Sequence, residues 1–336
     1  MASLQDIAAE VGVSVATVSA VLSGKADHFR ISEPMRLKVR QAARRLRYRP
    51  NLAARGLRTG QTYVIGLLFN NPRELIYAEL LSHIQALLHH HGYAGICAFW
   101  ETMPDAPAAF ASVLDRGVDA LITSHDDLSL IPAGVPAVLL FQKDGVHDSV
   151  CRDGAKAMRF AVDHLLDWGH RRLGVLDLNP ATHEPLLTPV LRERGLDLDP
   201  FWTWHPETNV TTGSRRCIAE ILSLPPEKRP TALICRNDTV AMVAISEAGR
   251  HGLTVPGDLS VIGFDAVSMG DIANPPLTTV GVPPAELASR AVELLIRRLD
   301  SPDADFCETL LVPELIQRAS CAPPPDRTVS DGGQPA

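Results

Sequence analysis

Apolar residues recur at Leu4, Ile7, Ala8 and Val11, the i, i+3, i+4, i+7 spacing of one helix face. Ser3 stands where an N-cap belongs, Asp6 three residues later favours the same terminus, and Gly12 supplies the break. A second cap at Ser14 opens a short helix whose Val18, Val21 and Leu22 face inward, which leaves Val15, Ala16, Thr17, Ser19 and Ala20 outside; Gly24 closes it. Ser32, Glu33 and Pro34 start a third helix, with Met35, Val39, Ala42 or Ala43 and Leu46 as its core stripe. Two short helices joined by a glycine-containing turn and supported by a third predict a helix-turn-helix. The second helix of that motif enters the DNA major groove by its N-terminal end.

From Tyr63 the pattern changes to short aliphatic runs alternating with helical stretches. The runs are Val64 to Leu68, Gly95 to Phe99, Ala120 to Thr123, Ala137 to Leu140, Leu173 to Leu176, Ala232 to Cys235 and Leu259 to Phe264. Such alternation predicts parallel sheets covered by helices, and a second series starting near Arg172 predicts two linked α/β subdomains, each doubly wound. Ligands in open α/β sheets bind beyond the carboxyl ends of strands, so candidate site residues follow each run. They are Asn70, Glu74, Ile76 and Tyr77, then Trp100, Ser124, His125, Asn237, Asp238 and Asp265. Asn237 and Asp238 also suit the N-cap of the following helix.

Composition narrows the class. No stretch approaches the roughly 18 uninterrupted apolar residues of a membrane span, and Met1 to Gly12 lacks the basic start of a signal peptide, so a cytoplasmic protein is expected. Cys97, Cys151, Cys217, Cys235, Cys307 and Cys321 are scattered without metal or disulfide spacing and read as buried reduced thiols. The net charge of −7 argues against a polyanionic partner until it is divided by position. Residues 1–60 hold 11 Lys+Arg against 4 acids, whereas the rest holds 21 against 35. A basic head on an acidic body localises the electrostatic footprint of a DNA binder in one module. The missing signal peptide and the basic head disfavour the alternative of a sugar-binding transport-type protein. No nucleophile–base pair, phosphate loop or metal cluster speaks for an enzyme, and no cofactor is called for.

The stretch Leu4-Gln5-Asp6-Ile7-Ala8 through Gly12-Val13-Ser14-Val15-Ala16-Thr17-Val18-Ser19-Ala20-Val21-Leu22-Ser23-Gly24 resembles the opening signature of the LacI/GalR family of transcriptional regulators. Arg47-Tyr48-Arg49-Pro50-Asn51, followed by Ala53-Ala54-Arg55-Gly56-Leu57-Arg58, is similar to that family's hinge. The resemblance continues through Asp153-Gly154, Gly169-His170-Arg171-Arg172, Asn237-Asp238, Gly263-Phe264-Asp265 and Pro276-Leu277-Thr278-Thr279-Val280, over about residues 2 to 320. It implies a core with the fold of periplasmic sugar-binding proteins, double-stranded operator DNA and a small-molecule effector as partners, and a homodimer. The implied DNA contacts are Ser14, Val15, Ala16, Thr17, Ser19 and Ala20 in the head and Asn51, Ala54, Leu57 and Arg58 in the hinge, where Leu57 matches the leucine that the family wedges between base steps. It also implies effector contacts at Asp153, Asn237 and Asp265, which with Glu74, Ile76, Tyr77 and Ser124 from the strand ends make up the expected effector site.

The residues qualify that picture. Val15 and Ala16 offer only apolar contact, such as to a thymine methyl, whereas bidentate base readout needs Arg, Asn or Gln. The hinge segment is too short to hold a helix alone, and Gly56 weakens it further, by about 1 kcal/mol relative to Ala. After Leu176-Asp177 the chain reads as shortened and broken by Pro180, Pro185 and Pro189, and no residue matches the arginine with which the family contacts effectors there. The expected organisation is a helix-turn-helix head over 1–48, a hinge helix and linker over 49–60, an effector-binding and dimerisation core over 61–322, and a disordered tail over 323–336. Within the core, subdomain 1 is expected at about 61–158 and 284–307, and subdomain 2 at about 159–283 and 308–322.

Overall fold

The computed structural model describes residues 2–22, 26–48, 60–71, 73–176, 180–196, 203–204 and 210–325. The chain divides into two compact units, Met1–Thr62 and Tyr63–Ala336.

The first unit holds helices α1 (Leu4–Val11), α2 (Val15–Leu22) and α3 (Glu33–Arg45). Ser3 and Asp6 form a capping box: the Ser3 backbone N–H donates to Asp6 Oδ2 at 2.8 Å and the Asp6 N–H to Ser3 Oγ at 3.2 Å. Gly12 ends α1 in the left-handed region at φ 76°, which glycine adopts without a Cβ penalty. Ser32 occupies the N-cap position of α3 with no side-chain bond, while Pro34 lies in its first turn. Ile7, Val18, Val39 and Ala42, each 0% exposed, close the three helices on one another. Burying each of the larger ones contributes roughly 1.5–3 kcal/mol. The expected terminator Gly24 lies outside the described residues, as does the hinge from Arg49 to Thr59.

The second unit carries two six-stranded sheets. Strands β1 (Val64–Asn70), β2 (Ala94–Trp100), β3 (Ala120–Thr123), β4 (Ala137–Leu140), β5 (Asp148–Arg152) and β11 (Glu308–Leu311) form the first, in the order β11-β5-β4-β3-β1-β2. All its pairings are parallel. Strands β6 (Leu173–Leu176), β7 (Thr203–Trp204), β8 (Ala232–Cys235), β9 (Ser260–Phe264), β10 (Thr278–Gly281) and β12 (Glu314–Ile316) form the second, in the order β12-β10-β9-β8-β6-β7, with β12 antiparallel. Period-two alternation sorts the core: Ile65, Leu67 and Phe69 pack with Leu80, Ile84, Leu287 and Leu295 from helices α4 (Leu75–His90) and α10 (Pro284–Asp300). Leu68, Leu121 and Leu139 face Phe110 and Val113 of α5 (Ala106–Leu114) on the other side. The second sheet lies between α6 (Gly154–Asp167) with α7 (Pro180–Glu193) and α8 (Val210–Ser223) with α9 (Asp238–Arg250).

The crossings between subdomains differ from expectation at two points. The first falls between Arg152 of β5 and Gly154 of α6, ahead of residue 158, because α6 packs Ala157 and Met158 into the second core. The third falls after Leu311: residues 308–311, expected in subdomain 2, form β11, which pairs with β5 and completes the first sheet. Asp148 fixes that edge. Fully buried, it accepts from Arg298 Nε at 2.8 Å, Arg297 Nη2 at 2.9 Å and the Cys307 N–H at 2.8 Å. The proline-rich stretch is also not broken, since α7 runs through Pro185 and Pro189. Four residues apart, both prolines lie on the exposed side, while Leu187, Val190 and Leu191 are buried in the second core. Tertiary packing there outweighs the lost backbone bonds. Only Cys217, Cys235 and Cys321 of the six thiols are buried; Cys97 is exposed, and Cys151 and Cys307 are intermediate.

Candidate nucleic-acid interface and inter-sheet site

In the head, Ser14 begins α2 by accepting the Thr17 N–H at 3.1 Å, and the Ser14 and Thr17 hydroxyls stand 2.9 Å apart. Val15 is 41% exposed and Ala16 is exposed; Thr17 and Ser19 are half-buried. Ala20, expected on the outer face, is buried at 6%. The reason is that α2 is apolar around most of its circumference and is covered accordingly, at Val18, Ala20 and Val21. Arg36 is bound internally, to Asp27 at 2.7 Å, and Arg45 to Glu10 at 2.6 Å. Arg30, Lys38, Arg40, Arg44 and Arg47 are exposed. Asn51, Ala54, Leu57 and Arg58 lie outside the described residues.

In the core, the carboxyl ends of the two sheets meet. Glu74, the N-cap of α4 and 4% exposed, accepts from Asn237 Nδ2 at 2.5 Å and from Arg236 Nη2 at 3.2 Å, both beyond β8. Asn237 meanwhile caps α9 by accepting the Val240 N–H at 2.9 Å, so both of its expected roles coexist. Arg152, at the end of β5, donates from Nη1 to Asp265 Oδ1 at 2.5 Å, beyond β9, and its guanidinium carbon stands 4.8 Å from the Phe141 ring centroid. Burial pushes the Glu74 carboxyl up, with the Arg236 charge opposing it and that of Asp265 adding to it. The Tyr77 hydroxyl is pushed up to about 12 by burial and receives the Ser124 hydroxyl at 3.4 Å.

Beneath this layer Asp238, fully buried, accepts from Thr279 Oγ1 at 2.6 Å and from the Val267 N–H at 2.9 Å. Burial, reinforced by the charge of Asp265, pushes its carboxyl up to about 8. A Cβ at Gly263 would collide with that carboxylate, which accounts for the glycine in Gly263-Phe264-Asp265. Asp265 at φ 109° and Ala266 at φ 57° follow in a region that side-chain-bearing residues seldom occupy, and Phe141 has φ 69°. Backbone strain of this kind, of order 1–3 kcal/mol per residue, persists only where the surroundings over-determine it.

The structure thus brings Glu74, Tyr77, Ser124, Asn237 and Asp265 together. It does not bring in Ile76, which is 5% exposed and packs in the first core, where an apolar side chain on the sheet-facing side of α4 belongs. Asp153 caps α6 through the Lys156 N–H at 2.9 Å and shows no bond to the other site residues among those described. Trp100 and His125 instead form an aromatic cluster with Phe110, with centroids 4.8 and 5.5 Å from the imidazole. Arg152 and Arg236 went unread. Their one sequence signal is position, at or one residue past the end of a strand.

Comparisons with known proteins agree with this architecture. Residues 3–51 match the family model described as bacterial regulatory proteins, lacI family. Residues 162–321 match the periplasmic binding protein-like domain. The HTH-type transcriptional repressor PurR of Pasteurella multocida (strain Pm70) is 28% identical over 335 residues, 95% of this chain and 98% of that protein. The ribose operon repressor of Haemophilus influenzae (strain ATCC 51907 / DSM 11121 / KW20 / Rd) is 29% identical over 336 residues, again 95% and 98%. The structure of the Lac repressor dimer bound to operator and the anti-inducer ONPF has a TM-score of 0.78 at 23% identity, over 96% of this chain and 99% of that one. A LacI family transcriptional regulator from Enterococcus faecium with bound ribose has a TM-score of 0.70 at 23% identity, over 77% and 99%. At that identity the structural likeness is one of fold. A helix-turn-helix head ahead of two doubly wound sheets, with polar side chains converging where the sheets meet, defines a DNA-binding transcriptional regulator modulated by a small molecule. The chain carries the helix-turn-helix domain of the lacI family of bacterial regulatory proteins, followed by a periplasmic binding protein-like domain.

Proposed function

We propose that this regulator is a cytoplasmic homodimeric repressor that binds a near-palindromic operator and changes its operator affinity when a small polar metabolite enters the inter-sheet site. The observation that carries the reading is the union, in one chain, of a basic helix-turn-helix head with a core whose polar residues converge at the carboxyl ends of two sheets. No single described helix is long and apolar enough to cross a membrane. The named relatives are repressors, and the Lac repressor structure is a dimer on its operator.

In this reading Val15 and Ala16 meet apolar base edges, with Ser14, Thr17 and Ser19 beside them. Asn51, Ala54, Leu57 and Arg58 supply hinge contacts, and Leu57 is the wedge. Weak direct readout by α2 shifts specificity toward DNA shape and the hinge. In the core, Glu74, Tyr77, Ser124, Asn237 and Asp265 contact the effector, and Asp153 lies at the first crossing. Effector binding shifts the angle between the sheets and so the spacing of the two heads in the dimer. Selection of bound duplexes from random DNA tests this. A recovered sequence with two-fold symmetry is expected, and recovery of unrelated sequences would refute it. Leu57→Ala is then expected to weaken binding to that duplex by a few kcal/mol or less.

A further inference from the structure

Arg152 and Arg236 approach the inter-sheet site from opposite subdomains, and each spends little of its hydrogen-bonding capacity there. A guanidinium offers five N–H donors. Arg152 uses one, to Asp265, and its side chain is 29% exposed; among the described residues nothing else accepts from it. Arg236 gives one side-chain bond, to Glu74, is 26% exposed, and keeps a buried Nε–H without an acceptor among the described residues. Acceptors are scarcer. Both Glu74 oxygens are taken and the Asn237 oxygen caps α9, whereas Asp265 has one oxygen not engaged among the described residues. Among the described residues the site is therefore donor-rich, and a ligand that completes it is acceptor-rich.

We propose that this site takes a hydroxylated carboxylate of the sugar-acid type, with Arg152 as the cation that reads its carboxylate and the open oxygen of Asp265 accepting one of its hydroxyls. The assignment deepens the effector reading given above and rests on it. A carboxylate matches the open parallel N–H edge of a guanidinium bidentately, with charge-assisted bonds that a neutral hydroxyl does not make. The Ser124 and Tyr77 hydroxyls supply partners for the remaining hydroxyls. The upward push on Glu74 favours its neutral form and reduces the repulsion that a second anion meets. Arg152 ends β5 immediately before the first crossing, and Asp265 begins the strained Asp265–Ala266 pair. Loading that cation therefore acts at the point where the subdomains join.

The test is calorimetry on the full chain at about 0.15 M salt, with D-glucuronate against D-glucose and D-gluconate against sorbitol. At least one acid is expected to bind about tenfold or more tighter than its uncharged counterpart. Arg152→Met is expected to reduce that preference to about twofold or less, and Arg152→Lys to retain part of it. Because Arg152→Met strands the Asp265 carboxylate, the double variant Arg152→Met/Asp265→Asn removes that stranded charge and should show no preference either. Equal binding of acid and neutral compound, a preference that survives Arg152→Met, or no binding of either acid at about 1 mM would each overturn the proposal. If the chain binds its selected duplex but neither acid, only the ligand assignment fails. If an acid binds through Arg152 and no duplex is selected, the repressor reading fails and the assignment stands.

Discussion

The head and the core use the same residue type in opposite ways. In the head, Arg30, Arg40, Arg44 and Arg47 are exposed to solvent, and among the described residues only Arg36 and Arg45 are tied to acids. In the core, Arg298, Arg236 and Arg152 are held against the buried or nearly buried carboxylates Asp148, Glu74 and Asp265. Desolvation makes the difference. A solvated guanidinium acts at a distance, is screened by salt and is available to phosphate; one held against a buried carboxylate fixes geometry and is nearly insensitive to salt. The head is built to attract a polyanion, and the core to hold an arrangement that a ligand can disturb.

The largest effect that would break this contrast is at Asp148. Asp148→Ala leaves Arg298 buried without its partner and should destabilise the core by about 3–5 kcal/mol in denaturant unfolding. A loss below about 1 kcal/mol would place that pair with ordinary surface ion pairs. Ile7→Ala should cost the head about 2–5 kcal/mol and abolish DNA binding, while the melting of the core stays where it was. If the core transition moved as well, the two units would not be independent.

Asp238 tests the buried side through pH. Its carboxyl is raised from 3.8 to about 8, so the folded chain binds the proton more tightly than the unfolded one. The contribution to stability is complete below the unfolded value and is lost as pH rises through the folded one. Asp238→Asn mimics the neutral acid and should flatten the fall in melting temperature between about pH 4 and pH 8; an unchanged slope would show that the group stays ionised. Smaller again are single replacements of Arg30, Lys38, Arg40 or Arg44 by Ala. Each one that touches a phosphate should lower the slope of log K against log salt by about 1. Arg236→Ala in the core should leave that slope alone, and the reverse outcome would invert the comparison. Least of all, Arg45→Met removes an exposed pair with Glu10 and should change stability by about 1 kcal/mol or less.

The head was legible almost to the residue because its signals are local. Ser3 with Asp6, Gly12 and Ser14 act within one helical turn, and the structure places them as read. Ala20 escaped because the covered side of a helix with apolar residues on several sides cannot be read from a single stripe. In the core, all seven aliphatic runs form strands, but β5, β10, β11 and β12 carry polar or charged residues such as Asp148, Arg152, Thr278 and Glu308, so hydrophobicity did not mark them. The residues following each strand pointed to Glu74, Asn237 and Asp265. Which cations they meet depends on contacts between chain positions 113 and 162 residues apart, Arg152 with Asp265 and Glu74 with Arg236. No local pattern encodes those.

The most direct test of the central claim is the binding of the full chain to a duplex that it has itself selected, measured at several salt concentrations. The account predicts tight binding at low salt that falls steeply as salt rises, by about 10³ or more between 50 and 200 mM for a protein making about six phosphate contacts. Binding that is absent, or that does not change over that range, would contradict it.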